Sequence, residues 1–88
     1  MADIPAANIT LKERISVGNL TLWKAKIYGD GTGVTVPTPI TRIMGTWVGN
    51  IDETAGYSPA LSTSGNVVTY GAAPTNTKYH WLYVLGTD

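Results

Sequence analysis

Few side chains in this sequence are suited to acid–base or nucleophilic chemistry. The only histidine, His80, lies between two aromatic residues in a segment that alternates like a strand. No serine stands in the strand–turn–helix setting of an activated nucleophile, and no aspartate is placed by its spacing to orient the imidazole. We therefore expect His80 to bond a backbone group or to be exposed at an interface. We expect no enzymatic activity.

The acidic and glycine-rich segments also lack a catalytic or metal-binding pattern. Asp52 and Glu53 are adjacent, so on an extended chain they point to opposite sides, whereas paired glycosidase carboxylates face one cleft. Cysteine is absent, and one histidine provides no second imidazole for a metal ion. The run at residues 29–33 lacks the Lys-Ser/Thr ending of a phosphate loop and predicts a hairpin turn. We expect no metal and no cofactor.

The aromatic residues are the group best suited to binding. The chain has three Trp and five Tyr but no Phe, so every ring carries a polar group, and such residues dominate binding hot spots. Trp47, near two glycines, and Tyr57, in a segment of small residues, are expected to point outward. An exposed Trp and Tyr would also suit a sugar, so a carbohydrate-binding module is an alternative. The candidate interface residues are Ile4, Pro5, Trp47, Tyr57, Tyr79 and Tyr83.

Composition and charge indicate a small protein that associates with other proteins. The 88 residues carry six basic and six acidic side chains, so the formal net charge is zero. This balance argues against a nucleic-acid partner, and no apolar stretch is long enough to span a membrane. Zero net charge also removes the repulsion that keeps small proteins apart, and a small domain gains stability from burial against a partner. We expect a homo-oligomer.

The elements that position these side chains are predicted to be strands. Period-two alternation predicts a strand at residues 9–17, with Glu13 interrupting its apolar row. Further segments at 20–28, 34–36, 40–51, 67–70 and 79–85 are rich in β-branched or aromatic residues. The apolar phase changes within 20–28, which predicts a bulge near Leu22 and Trp23, with a strand buried on both faces as the alternative. Residues 52–65 are predicted to be a loop.

These elements predict an all-β fold, namely a small antiparallel β-sandwich or barrel of five to six strands. Residues 9–88 form the single β domain. Residues 1–8 show no pairing pattern and are predicted to be a flexible N-terminal arm that orders on a neighbouring subunit. The first residues lack the basic and apolar regions of a signal peptide, so we expect assembly in the cytoplasm.

Turns and strands along most of the chain resemble a known group of proteins. A strand ends in a Gly-Asn turn at residues 15–19 and is followed by an aromatic strand. The same Gly-Asn turn precedes Val-Val-Thr-Tyr at residues 65–70, and an apolar strand closed by glycine spans residues 79–86. This arrangement is similar to small, cysteine-free, all-β virion proteins of tailed bacteriophages, although residues 45–49 and 52–65 have no counterpart there.

The resemblance implies a viral structural protein located in the virion. Its expected role is that of an accessory (decoration or cement) protein, commonly a trimer, that binds the major capsid protein or other virion proteins and stabilises the particle. A tail or baseplate component is the alternative within the same class. A glycan is the alternative partner if the exposed aromatic rings form a sugar platform.

Overall fold

The computed structural model of the chain describes residues 2–53, 57 and 59–87. Seven strands are present in this part of the chain: β1 (Ile9–Val17), β2 (Leu20–Tyr28), β3 (Thr35–Pro37), β4 (Arg42–Asn50), β5 (Leu61–Ser64), β6 (Val67–Tyr70) and β7 (Tyr79–Thr87). The large sheet has the order β1-β2-β7-β4 and the small sheet the order β3-β6-β5. Every pairing within the sheets is antiparallel. The predicted all-β class is confirmed.

The two sheets share one apolar core, as in a two-layer sandwich. Ile27 and Leu82 of the large sheet and Val36 and Val68 of the small sheet are fully buried in the same cluster. Each such side chain contributes roughly 1.5–3 kcal/mol of burial free energy. The strands of the small sheet have only three or four residues, whereas those of the large sheet have nine. The small sheet therefore leaves β1 exposed beyond Ile9, on both of its sides.

The bulge predicted near Leu22 and Trp23 is wrong, because β2 pairs with β7 in unbroken register. The phase change has another cause: both sides of β2 carry apolar residues. Trp23 points into the core, while Leu22 and Lys24 lie half-buried on the opposite side. The bulges lie in the two edge strands instead. One follows Thr10 in β1 and the other lies next to Gly45 in β4.

The predicted loop at residues 52–65 contains a strand, so the sandwich has seven strands rather than five or six. Strand β5 forms because Gly65, with a φ of +60°, closes a tight hairpin to β6. β5 was missed because its sequence, Leu-Ser-Thr-Ser, has no apolar alternation. Residues 54–56 and 58 of the predicted loop lie outside the described part of the chain.

The predicted N-terminal arm is attached to this chain's own small sheet. The Ile4 amide donates to the Thr35 carbonyl, the Val34 amide donates to the Ala2 carbonyl, and Asp3 forms a parallel bridge with Thr35. The Ile4 side chain is 2% exposed and belongs to the core. Residues 2–4 are therefore a structural segment rather than a free arm, because they fill the core beside β3. Met1, the first residue of the predicted arm, and Asp88, the last residue of the predicted β domain, are not among the described residues.

Candidate functional site

On the side of the large sheet that faces away from the core, the described residues form no second layer. We call this side the outer face. The residues that belong to the outer face are identified from the register of β1, β2, β7 and β4, because residues directly opposite one another share a side of the sheet. Its members are Thr10, Glu13, Ile15, Val17, Leu20, Leu22, Lys24, Lys26, Tyr28, Arg42, Gly45, Trp47, Gly49, Tyr79, Trp81, Tyr83, Leu85 and Thr87. Five of the eight aromatic residues of the chain are therefore gathered on one uncovered surface.

The rings of the outer face contact one another in two groups. The Trp47 and Tyr83 rings are stacked, with centroids 5.4 Å apart and an angle of 16° between their planes. At the other end of β7, the Tyr28 and Tyr79 rings lie 4.7 Å apart at an angle of 51°. Trp47 is 45% exposed although it is stacked on its neighbour. These contacts hold the rings in fixed orientations, which reduces the entropy that docking a partner would cost.

Two lysines of β2 lie across this aromatic surface. The Lys24 ammonium is 4.9 Å from the centre of the Trp81 ring, and the Lys26 ammonium is 4.5 Å from the centre of the Tyr79 ring. Lys24 also lies 3.6 Å from the Glu13 carboxylate. The ammonium groups of these lysines lie over aromatic rings, which accounts for two charged residues on a half-buried side of β2. The outer face therefore combines apolar area with one anion, Glu13, and with three cations, of which Lys24 and Lys26 lie among the rings and Arg42 lies at the start of β4.

The structure brings together three of the six residues predicted at an interface: Trp47, Tyr79 and Tyr83 all belong to the outer face. Ile4 is instead buried in the core. Pro5 is exposed at the start of the short 3-10 turn Ala6–Asn8, away from the outer face. The lysines and Trp81 of the outer face were not among the predicted residues. The sequence feature that could have identified them is the presence of apolar or aromatic residues on both sides of β2 and β7.

Tyr57 does not point outward as predicted. Its ring is half-buried with its centre 6.0 Å from that of the buried His80 ring, and its hydroxyl donates to the Ala72 carbonyl at 3.1 Å. Trp47 lies on the outer face, whereas His80 lies on the core side of the same sheet. Trp47 and Tyr57 therefore do not form the sugar platform that the sequence allowed.

A second group of polar side chains is buried between the sheets. The Tyr70 hydroxyl lies 2.6 Å from His80 Nε2, and His80 Nδ1 lies 3.5 Å from Glu53 Oε2. The His80 and Glu53 side chains are both fully buried. The predictions of a backbone bond or an exposed position for His80 are wrong, because β7 turns it toward the core, where Tyr70 of the small sheet faces it. Glu53, 27 residues away in sequence, could not be paired with His80 from spacing alone.

Burial governs the ionisation of this cluster. Desolvation lowers the pKa of His80, and the neighbouring Glu53 carboxylate opposes that shift. Desolvation also raises the pKa of Tyr70, with smaller contributions from Tyr57 and Glu53. The Tyr57 and Tyr70 phenols therefore stay protonated at neutral pH, and His80 Nε2 lies within hydrogen-bonding distance of the Tyr70 hydroxyl while its Nδ1 faces Glu53. The carboxylate oxygens and Nδ1 have no hydrogen-bond partner among the described residues.

The rest of the described chain adds no further site. No cavity is found there, and no group of three or more metal-ligating side chains is found among residues 2–53, 57 and 59–87. The same residues include no helix of the length and hydropathy needed to span a membrane. No protein-family model, curated protein or solved structure matches the chain. The outer face and the buried cluster are therefore the two features from which a function can be argued.

Proposed function

We propose that this protein is a non-catalytic structural module that docks on a larger protein assembly through its outer face. One observation carries the proposal: five aromatic rings lie together on the side of the large sheet that faces away from the small sheet. Large apolar surface patches mark interaction sites in small proteins, and Trp and Tyr supply much of the binding free energy at such sites.

The size of the outer face fits a specific interface. Four strands about 4.8 Å apart and nine residues long, at about 3.4 Å per residue, give a footprint of about 19 Å by 30 Å. With the relief of its side chains, this area approaches the roughly 800 Å² per partner that a stable protein contact buries. A partner with apolar groups and carboxylates suits it, because Lys24 and Lys26 are its principal charges.

The assembly we propose is a bacteriophage virion, with the chain as an accessory (decoration) protein of the capsid and a homo-oligomer in solution. The support is the resemblance of the turns and terminal strand to small virion proteins, together with zero net charge. Such a protein stabilises a shell by binding neighbouring capsid subunits, since binding to the assembled state adds to its stability. A tail or baseplate location is the alternative within this proposal.

The test is co-sedimentation with purified capsids of the bacteriophage that, under this proposal, encodes this chain. We expect the native protein to bind, and the double variant Trp47→Ala/Tyr83→Ala to bind at least tenfold more weakly. The matched control is Ser62→Ala, which truncates an exposed side chain of the small sheet and should bind like the native protein. Binding to tails but not to capsids would select the alternative location. Binding to neither, or glycan binding lost on Trp47→Ala, would refute the proposal.

A further inference from the structure

The two edges of the large sheet are protected to different degrees against pairing with another strand. Edge strand β1 carries three consecutive charged residues, Lys12, Glu13 and Arg14. It is also bulged between Thr10 and Glu13, and Leu11 within the bulge has a φ of +49°. Charges and bulges on an edge are the devices by which proteins prevent strand addition.

Edge strand β4 has much weaker protection. After Arg42 at its first position, the strand contains no charged residue and no proline. Its bulge lies near the start, between Ile43 and Gly45, so residues 45–50 pair regularly with β7. The opposite edge of β4 has no strand partner in the described sheet. A regular, uncharged edge of this kind accepts an added strand through its backbone groups.

The sequence at the centre of β4 favours its own copy as that strand. Residues 45–49 read Gly-Thr-Trp-Val-Gly, which is nearly symmetrical about Trp47. In an antiparallel pair centred there, the glycines face each other and Thr46 faces Val48 of the second copy, a β-branched pair of the kind that stabilises sheets. The glycines leave room on the outer face for the two Trp47 side chains.

Charge supports the same register. Arg42 precedes the symmetrical segment and Asp52 follows it, so antiparallel pairing brings Arg42 of one copy within a residue or two of Asp52 of the other. Asp52 is held beside the sheet, because its carboxylate accepts a 2.6 Å hydrogen bond from the Tyr79 amide. Opposite charges therefore lie near both ends of the pair.

We infer that β4 pairs antiparallel with β4 of a second copy, about a two-fold axis through Trp47 and perpendicular to the large sheet. This pairing adds detail to the proposed docking function, and the biological purpose of the pairing rests on that proposed function. The axis keeps both outer faces on the same side, so an eight-stranded sheet presents one continuous aromatic surface to the larger assembly. The product is a dimer, in contrast to the trimer that the resemblance implies.

Cysteine cross-linking tests the axis directly, because the native chain has no cysteine. Residues opposite each other in antiparallel strands have Cα atoms about 4.5–5.5 Å apart, which a disulfide can bridge. We expect Trp47→Cys to form a disulfide-linked dimer under mild oxidation. The control is Gly45→Cys, whose symmetry mate lies about 14 Å away along the strand. A Cβ at Gly45 has no atom within 4 Å, so the control variant should fold.

A charge exchange gives a second, independent measurement. Trp47→Lys and Trp47→Glu each place like charges opposite each other, so each should be monomeric by light scattering under conditions where the native protein is dimeric. Mixing them should restore dimers, because Lys then faces Glu across the axis. A native protein that is monomeric at about 100 μM, or a trimer, would overturn the inference. Equal cross-linking of the two cysteine variants would also overturn it.

The two proposals fail in distinguishable ways. A dimer with this register that does not bind virion particles would refute the docking function but keep the β4 pairing. A native monomer that binds capsids through the outer face would keep the docking function and refute the pairing. Circular dichroism of each Trp47 variant, compared with the native spectrum, verifies that it is folded before its assembly is measured.

Discussion

Replacing Tyr70 with phenylalanine removes one hydroxyl group from the contact between the two sheets. That hydroxyl lies 2.6 Å from His80 Nε2, and both residues are buried. A typical hydrogen bond contributes about 0.5–1.5 kcal/mol net, and leaving a buried polar atom without its partner costs about 1–3 kcal/mol. We expect Tyr70→Phe to lower the free energy of unfolding by about 2 kcal/mol. For a domain of this size, that loss lowers the Tm by roughly 8–16 °C.

Urea denaturation at pH 7.5, followed by tryptophan fluorescence, measures this loss because Trp23 lies in the same core. The matched control is Tyr83→Phe, which removes a hydroxyl that makes no hydrogen bond to the described residues and should change stability by less than about 0.5 kcal/mol. A Tyr70→Phe variant within about 0.5 kcal/mol of the native protein would refute the reasoning. It would mean that the His80 nitrogen does not depend on this hydroxyl.

Three further predictions concern stability. Ile4→Ala should lower the free energy of unfolding, measured by urea denaturation, by about 2–5 kcal/mol because Ile4 fills the core. The control Ile51→Ala, at a side chain that is 43% exposed, should lower it by less than about 1 kcal/mol. Equal losses in the two variants would contradict the core role of Ile4. Gly86→Ala should destabilise by about 1–3 kcal/mol, because a Cβ there would overlap the Arg42 carbonyl and the Ile40 side chain, whereas Gly45→Ala should be tolerated in the same assay. Folding lowers the pKa of His80, so as the pH falls the imidazole is protonated in the unfolded chain before it is protonated in the folded one. The free energy of unfolding should therefore decrease by up to about 1.4 kcal/mol between pH 7.5 and 5.5. Unchanged stability in that window would show that the folded pKa is not lowered.

Much of the fold could be predicted because strand periodicity is a local property. Strand β6 lies at its predicted residues, and β1 and β2 have the predicted bounds. The bulges could not be located, because Leu11 in β1 adopts a φ of +49° that its residue type disfavours. Only the pairing of the complete sheet determines such a conformation.

The outer face could be predicted in part, and the buried cluster could not. Tyr79 and Tyr83 alternate with apolar residues in a strand, a pattern typical of either a central sandwich strand or an interface strand, and both were predicted at an interface. That no described strand packs over the outer side of β7 depends on how the whole chain folds into two sheets, which the local pattern of one strand does not contain. Glu53 and His80 meet only through the tertiary fold, because one follows β4 and the other begins β7.

Core residues alternate along a single strand with the residues that we propose for docking. In β7, His80, Leu82 and Val84 face the core, whereas Trp81 and Tyr83 between them face outward. A substitution at one alternate set of positions therefore changes the core, whereas one at the other set changes the surface that we propose for docking, since neighbouring strand residues lie on opposite sides. A sequence that kept apolar rings at both sets without a partner would carry an aggregation risk. The five aromatic rings on the outer side are therefore the reason that we propose an interaction that covers them.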